Sequence, residues 1–341
     1  MAKHHQEYQI SLERAQKVAA VWDKATSLRE AMSMAGINIK DMRTLFRYRR
    51  HVEQILGITL ETHKKNEHLV QFRRVPQRTR RVDFKSEAMI INFSDCHWWP
   101  DQKHTDAHII MLKMIEEMKP HGVACRGDMM DGARLSRFGK RYLEDTPSTE
   151  DEVETCMFYM AEIADVAKQA RRKVDLDINV GNHERIEIAL ANLESAESEV
   201  VSGLLAGLKA SEKSPMEIFF PDWHIGTSTI INDTFLWKHK PMKGGTHARR
   251  NSTLNAGISI GNGHTHRLGV TYISDYAGTR HGVECGTLAD PLSDQFLYTE
   301  DNATDWQHGF VIQMFNGKDV ESIPVIVHDG KARFNGKVYK A

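Results

Sequence analysis

The residues with the most chemistry in them fall in four stretches of one build. Ile91-Asn92-Phe93-Ser94-Asp95-Cys96-His97 is an apolar run ending in an acid and a histidine two residues apart. Val123-Ala124-Cys125-Arg126-Gly127-Asp128-Met129-Met130-Asp131 ends in two acids. Ile178-Asn179-Val180-Gly181-Asn182-His183-Glu184 ends in an amide, an imidazole and an acid, and Ile258-Ser259-Ile260-Gly261-Asn262-Gly263-His264-Thr265-His266 in two imidazoles. A lone D-x-H triplet means little; four such endings in one chain point to a shared site. Carboxylates neutralise cation charge and can bridge, while imidazole suits Mn, Fe, Zn or Ni better than Mg. The set is that of a pair of divalent ions, Mn foremost. Two ions about 3.5–4 Å apart can hold a hydroxide and clamp both oxygens of an in-line displacement at phosphorus.

Such a site needs buried strands that deliver their C-terminal ends to one place. From Ala88 the pattern supplies them, strands alternating with helices. Ala107 to Met118 repeats apolar residues at helical spacing (Ile110, Met111, Met114, Ile115), and so does Glu150 to Ala170 (Val153, Met157, Met160, Ala164). That β-α-β order predicts a layered α/β core. From Glu217 the pattern turns strand-rich, with expected strands at Ile218-Phe219-Phe220, Thr229-Ile230-Ile231, Phe235-Leu236-Trp237, Thr271-Tyr272-Ile273, Phe310-Val311-Ile312 and Val325-Ile326-Val327. These are expected to form a second sheet packed on the first. Cys96, between two ligands, alternates to the other side and is read as packed. Trp98 and Trp99 are read as pocket walls, and His4, His5, His104 and His108 as exposed.

The ordered set D-x-H (Asp95, His97), G-D-x-x-D (Gly127, Asp128, Asp131), G-N-H-E (Gly181 to Glu184), a lone strand-end histidine and G-H-x-H (Gly263, His264, His266) resembles the calcineurin-like metallophosphoesterase superfamily over about residues 88–270. The resemblance implies a two-sheet sandwich flanked by helices and a dimetal phosphoesterase. Carried over by motif position, Asp95, His97 and His266 hold the first metal, Asp128 bridges, and Asn182 and His264 hold the second with the lone histidine. His183 is the general acid and Asp131 orients it. His239, after Phe235-Leu236-Trp237, is favoured as the lone histidine over His224 and His247; His247 is alternatively a substrate contact, as is Arg137. The arginines that the protein-phosphatase branch carries after the second acid and before G-N-H-E are replaced by Gly132 and Val180, so the resemblance is closer to phosphodiesterases and nucleases.

The rest of the chain has another character. Residues 1–86 carry 18 Lys+Arg against 9 Asp+Glu, whereas residues 87–341 carry 27 against 37. A basic head on an acidic body suggests two jobs. Within residues 1–60, Ala15, Val18, Ala19 and Trp22 line one helix face, Ser27 and Glu30 form a capping box, and Gly36 supplies a stop. Asn38 with Asp41 caps a further helix whose Met42, Leu45 and Phe46 face in and whose Arg43, Arg47, Arg49 and Arg50 stand outside. This resembles a helix-turn-helix, making DNA the expected partner; the alternative is a helical docking or oligomerisation module. Residues 61–86 read as a basic linker and 87–341 as the catalytic domain. A basic helical head before G-H-T-H-R also resembles proteins of tailed bacteriophages and prophages.

At 40% hydrophobic and 27% charged residues the composition is that of a soluble globular protein. No run approaches the roughly 20 apolar residues of a membrane span, and the first residues lack a secretory signal. Four cysteines without paired spacing are read as reduced, in a cytoplasmic bacterial or infected-host setting. Three functions follow. The first is a phosphodiesterase acting on nucleic acid, the second the same chemistry on a small nucleotide or phosphomonoester, and the third a DNA-binding regulator with a non-catalytic metal domain.

Overall fold

The computed structural model describes residues 11–22, 24–25, 28–37, 42–58, 60, 79–133, 147–184, 214–276, 278–299 and 304–341. The chain divides into two compact units, Met1–Arg73 with Ile188–Lys213, and Arg74–Glu187 with Ser214–Ala341.

The described part of the first unit contains α1 (Leu12–Trp22), α2 (Leu28–Met34) and α3 (Met42–Leu56). Ala15, Val18 and Trp22 are buried along α1, and Ala31, Met32 and Val52 complete the apolar contact. Ser27, Asn38 and Asp41 lie outside the described residues, as do the side chains of Met42, Arg43, Leu45, Phe46, Arg47 and Arg50 on α3. Arg49, expected to stand outside, is turned inward. It pairs with Glu53 at 3.2 Å, donates to the Leu60 carbonyl at 3.0 Å and lies over the Trp22 ring.

Among the described residues of the second unit, strands form two sheets. One has eight strands in the order β14 (Lys337–Lys340), β13 (Lys331–Phe334), β12 (Asp319–His328), β11 (Gly309–Asn316), β2 (Ala88–Phe93), β3 (Gly122–Cys125), β4 (Asp175–Asn179) and β5 (His224–Gly226). The other has six, ordered β1 (Thr79–Val82), β6 (Ser228–Ile231), β7 (Phe235–Lys238), β8 (Ser259–Asn262), β10 (Gly278–Cys285) and β9 (Leu268–Asp275). Ala88, Ile90, Ala124, Val311 and Phe315 of the first sheet pack against Ile231, Phe235, Trp237, Val283 and Cys285 of the second. The outcome is a mixed α/β sandwich. No helix of the described residues is long and apolar enough to cross a membrane.

Helices α4 (Asp106–Met118) and α5 (Thr149–Ala170) carry the parallel crossovers from β2 to β3 and from β3 to β4. Thr105 caps α4, its hydroxyl accepting from the His108 amide, and Ser148 caps α5 in the same way. A β-strand joined to a parallel neighbour needs such a crossover, which places the C-terminal ends of β2, β3 and β4 side by side.

Three expectations are corrected. Ile218 and Phe219 lie in a helix, α6 (Pro215–Phe219), because Ser214 and Glu217 make a reciprocal capping box with Pro215 in the first turn. The strands from Phe310 onward do not build a separate sheet: β11 pairs antiparallel with β2 and extends the first one. Residues 79–82, expected in a linker, form β1 parallel to β6, with Arg80 paired to Asp175 and Asp177. All four cysteines are buried and free, and burial pushes the thiols of Cys96, Cys156 and Cys285 well up.

Candidate dinuclear metal centre

Five strand ends meet at one edge of the sandwich. Asp95 and His97 follow β2, Asp128 and Asp131 follow β3, Asn182 and His183 follow β4, His239 follows β7, and His264 and His266 follow β8. Because β2, β3 and β4 run parallel in one sheet and β7 and β8 in the other, their C-terminal turns share a neighbourhood. Asp95, His97, Asp128, His264 and His266 all have φ between 44° and 70°. Non-glycine residues in this left-handed region cost of order 1–3 kcal/mol each and cluster where function requires them.

Two of the ligand groups that form here are Asp95 with His97 and His266, and Asp128 with His239 and His264; a third, Asp131 with His183, shares His97 with the first. In the first, His97 Nε2 lies 3.1 Å from His266 Nε2, which is 3.3 Å from Asp95 Oδ1. In the second, His239 Nε2 stands 2.9 Å from Asp128 Oδ2 but without hydrogen-bond geometry. Two ligands at right angles around one ion, each about 2.1 Å from it, are about 3 Å apart. The spacing accommodates donors sharing a cation, and in the ion-free chain His97 and His266 sit at hydrogen-bond distance.

The tautomers agree. His239 Nδ1 donates to the Arg126 carbonyl at 2.8 Å, so Nε2 is the atom turned toward Asp128 and the one that would ligate an ion once deprotonated. The Asp95 carboxylate accepts from the His264 amide at 2.9 Å, joining the two groups. In the chain without ions, burial opposes a charge on His239, but Asp128 outweighs it and raises the pKa to about 10. Burial, then the positive His239, lowers His264 to about 4. Burial also opposes ionisation of Asp95, yet His266 and His239 hold its pKa down. A close set of acids and imidazoles, most of them buried, with His239 Nε2 making no hydrogen bond, fits two divalent transition ions, whose binding would displace the proton that Asp128 holds on His239.

His183 stands beside both groups. Its backbone amide donates to Asp128 Oδ1 at 2.9 Å, and its Nδ1 lies 2.6 Å from the carbonyl oxygen of Asp131. The orienting contact thus comes from the Asp131 main chain. The Asp131 carboxylate faces His97 Nδ1 at 3.3 Å and accepts from Trp99 Nε1 at 3.0 Å. Burial lowers the His183 pKa, but Asp128 and the Asp131 carbonyl outweigh it and raise it. With Nδ1 taken, Nε2 stands 3.9 Å from Asp128 Oδ2 on a side chain that is about one-third exposed.

Asn182 is half-buried on the turn between Gly181 and His183. Of the other two histidines weighed with His239, His224 opens β5 and His247 stands exposed just before α7 (Ala248–Ala256). Arg267 donates to the Gly245 carbonyl at 2.8 Å, tying the His247 loop to the residue after His266. Arg137 lies outside the described residues.

Several contributors carry no ligand signature. The Glu184 carboxylate accepts from the amides of Asp128 at 3.0 Å, Met129 at 2.6 Å and Gly181, so it knots the second and third ligand turns together. Burial and Asp128 raise its pKa to about 7 in the ion-free chain. Gly181 is required by close approach, since a Cβ there would overlap the Asp128 carboxylate and amide. Gln295 donates to the His97 carbonyl at 2.9 Å, and the rings of Phe296 and Trp306 wall His266. Sequence held a hint only for Glu184, the last residue of its motif.

This geometry defines a candidate dinuclear centre of mixed carboxylate and imidazole ligands. No protein-family model matches the chain, and no curated protein matches it. Among solved structures it is similar to a single mutant of Vps29 from Entamoeba histolytica, at 12% identity over 74% of this chain and 98% of that one, with a TM-score of 0.37. It is similar to Vacuolar Protein Sorting 29 from Cryptosporidium parvum at 12% identity, 75% and 100% coverage and a TM-score of 0.37. For YfcE, a phosphoesterase from E. coli, the values are 12%, 69% and 98%, and 0.28. The metal assignment rests on the ligand geometry of this chain.

Proposed function

We propose that the chain is a metal-dependent phosphoesterase of the calcineurin-like type that hydrolyses phosphodiester bonds, with nucleic acid as its substrate. The observation that carries the reading is the meeting of Asp95, His97, Asp128, His239, His264 and His266 in two adjacent ligand groups beside a partly exposed His183. Asp95, His97 and His266 would hold one divalent ion and Asn182, His239 and His264 the other, with Asp128 shared. When bound, such ions lower the pKa of water and take up charge on the phosphoryl oxygens. The protein's own part is positioning. Its Glu184 knot and Arg126 carbonyl set the ligand turns, while Asp131 fixes the His183 ring so that Nε2 can give a proton to the leaving oxygen.

The nucleic-acid substrate is supported by the excess of basic residues in the first 86, which would concentrate a polyanion on the chain. Arg43, Arg47 and Arg50 are the residues proposed to meet phosphates of the polymer, and His247 and Arg137 are proposed as further substrate contacts. A second reading takes support from Arg49, whose guanidinium is spent inside the first unit. There the head is a docking piece and the substrate a small nucleotide.

One set of assays on the full chain separates these. Mn-dependent hydrolysis is followed on linear DNA and on bis-p-nitrophenyl phosphate. His183→Ala should cost about 10²–10⁴-fold on DNA, whose leaving alkoxide needs a proton, and far less on the nitrophenyl ester. Equal losses on both would refute the general-acid role. Replacing Arg43, Arg47 and Arg50 together by Ala should slow DNA cleavage and leave the small ester unchanged; no effect on DNA favours the docking reading. Duplex binding without hydrolysis of either ester would point to a non-catalytic regulator.

A further inference from the structure

Away from the centre, another set of potential ligands converges among the described residues: His104, His108 and Glu162. His104 precedes the Thr105 cap of α4, His108 lies in the first turn of that helix, and Glu162 comes from the middle of α5. Glu162 Oε2 is 2.6 Å from His104 Nε2 and 3.5 Å from His108 Nε2, and the imidazole centroids are 4.5 Å apart. His108, expected to be exposed, is only 1% exposed, and neither of its ring nitrogens makes a hydrogen bond. A buried polar group left that way costs roughly 1–3 kcal/mol. A helix packing against its neighbour has no reason to carry that cost where an aliphatic side chain would fit.

The surroundings explain the choice of side chain. Trp98 and Tyr159 wall the inner side, at 5.8 Å and 5.5 Å from the His108 ring. The side chains of His104 and Glu162 are 26% and 31% exposed, so the outer side opens to solvent. Burial would raise the Glu162 carboxyl, but His104 and His108 outweigh it and hold it at about 2, so the acid is ionised. Donors around a tetrahedral ion at about 2.0–2.1 Å stand roughly 3.3 Å apart, and the two measured separations bracket that value.

We propose that His104, His108 and Glu162 form a separate mononuclear site for a divalent transition cation of the zinc type. Two imidazoles and one carboxylate disfavour Mg or Ca, and the exposed side leaves room for solvent to complete the shell. The ion would clamp the start of α4 to α5. That clamp lies next to the segment leading from His97: the Tyr159 hydroxyl donates to the Gln102 carbonyl, Gln102 donates to Gln295, and Gln295 donates to the His97 carbonyl. The site does not depend on the phosphoesterase reading.

The test counts metal. Full-length protein is stripped with chelator, equilibrated with Zn²⁺, desalted and assayed for zinc per chain. His104→Ala and Glu162→Gln should each hold one equivalent fewer than the wild type, whatever the wild-type total, while Asp128→Asn should keep the equivalent that those two lose. An unchanged zinc count in both variants overturns the proposal. A second measurement needs no variant: on the wild-type protein, Zn²⁺ should protect His104 from acylation by diethyl pyrocarbonate, read by mass spectrometry. Acylation at the same rate with and without Zn²⁺ overturns it as well.

Discussion

Arg126 makes the most demanding prediction, because it is a fully buried cation that touches both sheets. It is 1% exposed, donates from Nε to Asn92 Oδ1 at 2.9 Å, and from Nη1 to Asp177 Oδ2 at 2.7 Å and Asn179 Oδ1 at 2.9 Å. Its guanidinium also lies 4.9 Å from the Trp237 ring centroid in the facing sheet. Burial lowers the Arg126 pKa and Asp177 opposes that, which marks the pair as dependent on one another. Removing one partner of a buried ion pair costs about 3–5 kcal/mol. Asp177 would still keep Arg80 at 3.0 Å and Thr229 at 2.7 Å, so Arg126→Met should fall near the lower end, about 3 kcal/mol. At roughly 2–4 °C per kcal/mol for a domain of this size, the melting temperature should drop by about 6–12 °C. Arg126→Lys should recover little, because a point charge cannot span the two asparagines and the acid. The assay is a double-mutant cycle with Asp177→Asn, followed by thermal or urea unfolding in EDTA. Coupling between the two positions should exceed about 1 kcal/mol. A cost below about 1 kcal/mol for Arg126→Met, or the same cost with and without Asp177, would refute the buried-pair account.

Other outcomes follow from the same structure. Saturating Mn²⁺, at about a hundred times its dissociation constant, should stabilise the protein by about 2.7 kcal/mol for each ion bound relative to EDTA; a melting temperature indifferent to both would deny the dinuclear centre. Gly181→Ala should destabilise by roughly 1–3 kcal/mol and weaken metal binding, since the new methyl group meets the Asp128 carboxylate; unchanged metal affinity would show that the turn has slack. His281 is buried against Phe235 with Nε2 3.0 Å from Ser322 Oγ, and burial lowers its pKa to about 4. The unfolded chain takes up a proton near pH 6.5 and the folded one only near 4, so the contribution present above 6.5 is lost as pH falls through that window. At pH 5 the loss is about 2 kcal/mol. His281→Gln should flatten that part of the stability profile measured in urea, and an unaltered slope would rule it out.

The residues with ligand chemistry were legible because acids, an amide and imidazoles after short apolar runs are local patterns, each contained within a few positions. The helices Asp106–Met118 and Thr149–Ala170 were legible for the same reason, their apolar residues recurring at the spacing of one helix face. Even the helix at Pro215 was written in Ser214 and Glu217, although the apolar Ile218-Phe219-Phe220 reads as a strand in isolation. What the chain alone could not state was partnership across distance. Nothing local in Phe310–Ile312 says that β11 joins β2, or that Thr79–Val82 lies along β6, because a strand's pattern marks its buried face and leaves its neighbour open. Likewise Arg126, Glu184 and the His104, His108 and Glu162 set acquire meaning only from groups brought to them by the fold. Residue type decided which chemistry was available; the packing of two sheets decided which atoms stand about 3 Å apart, and shared cations depend on that distance.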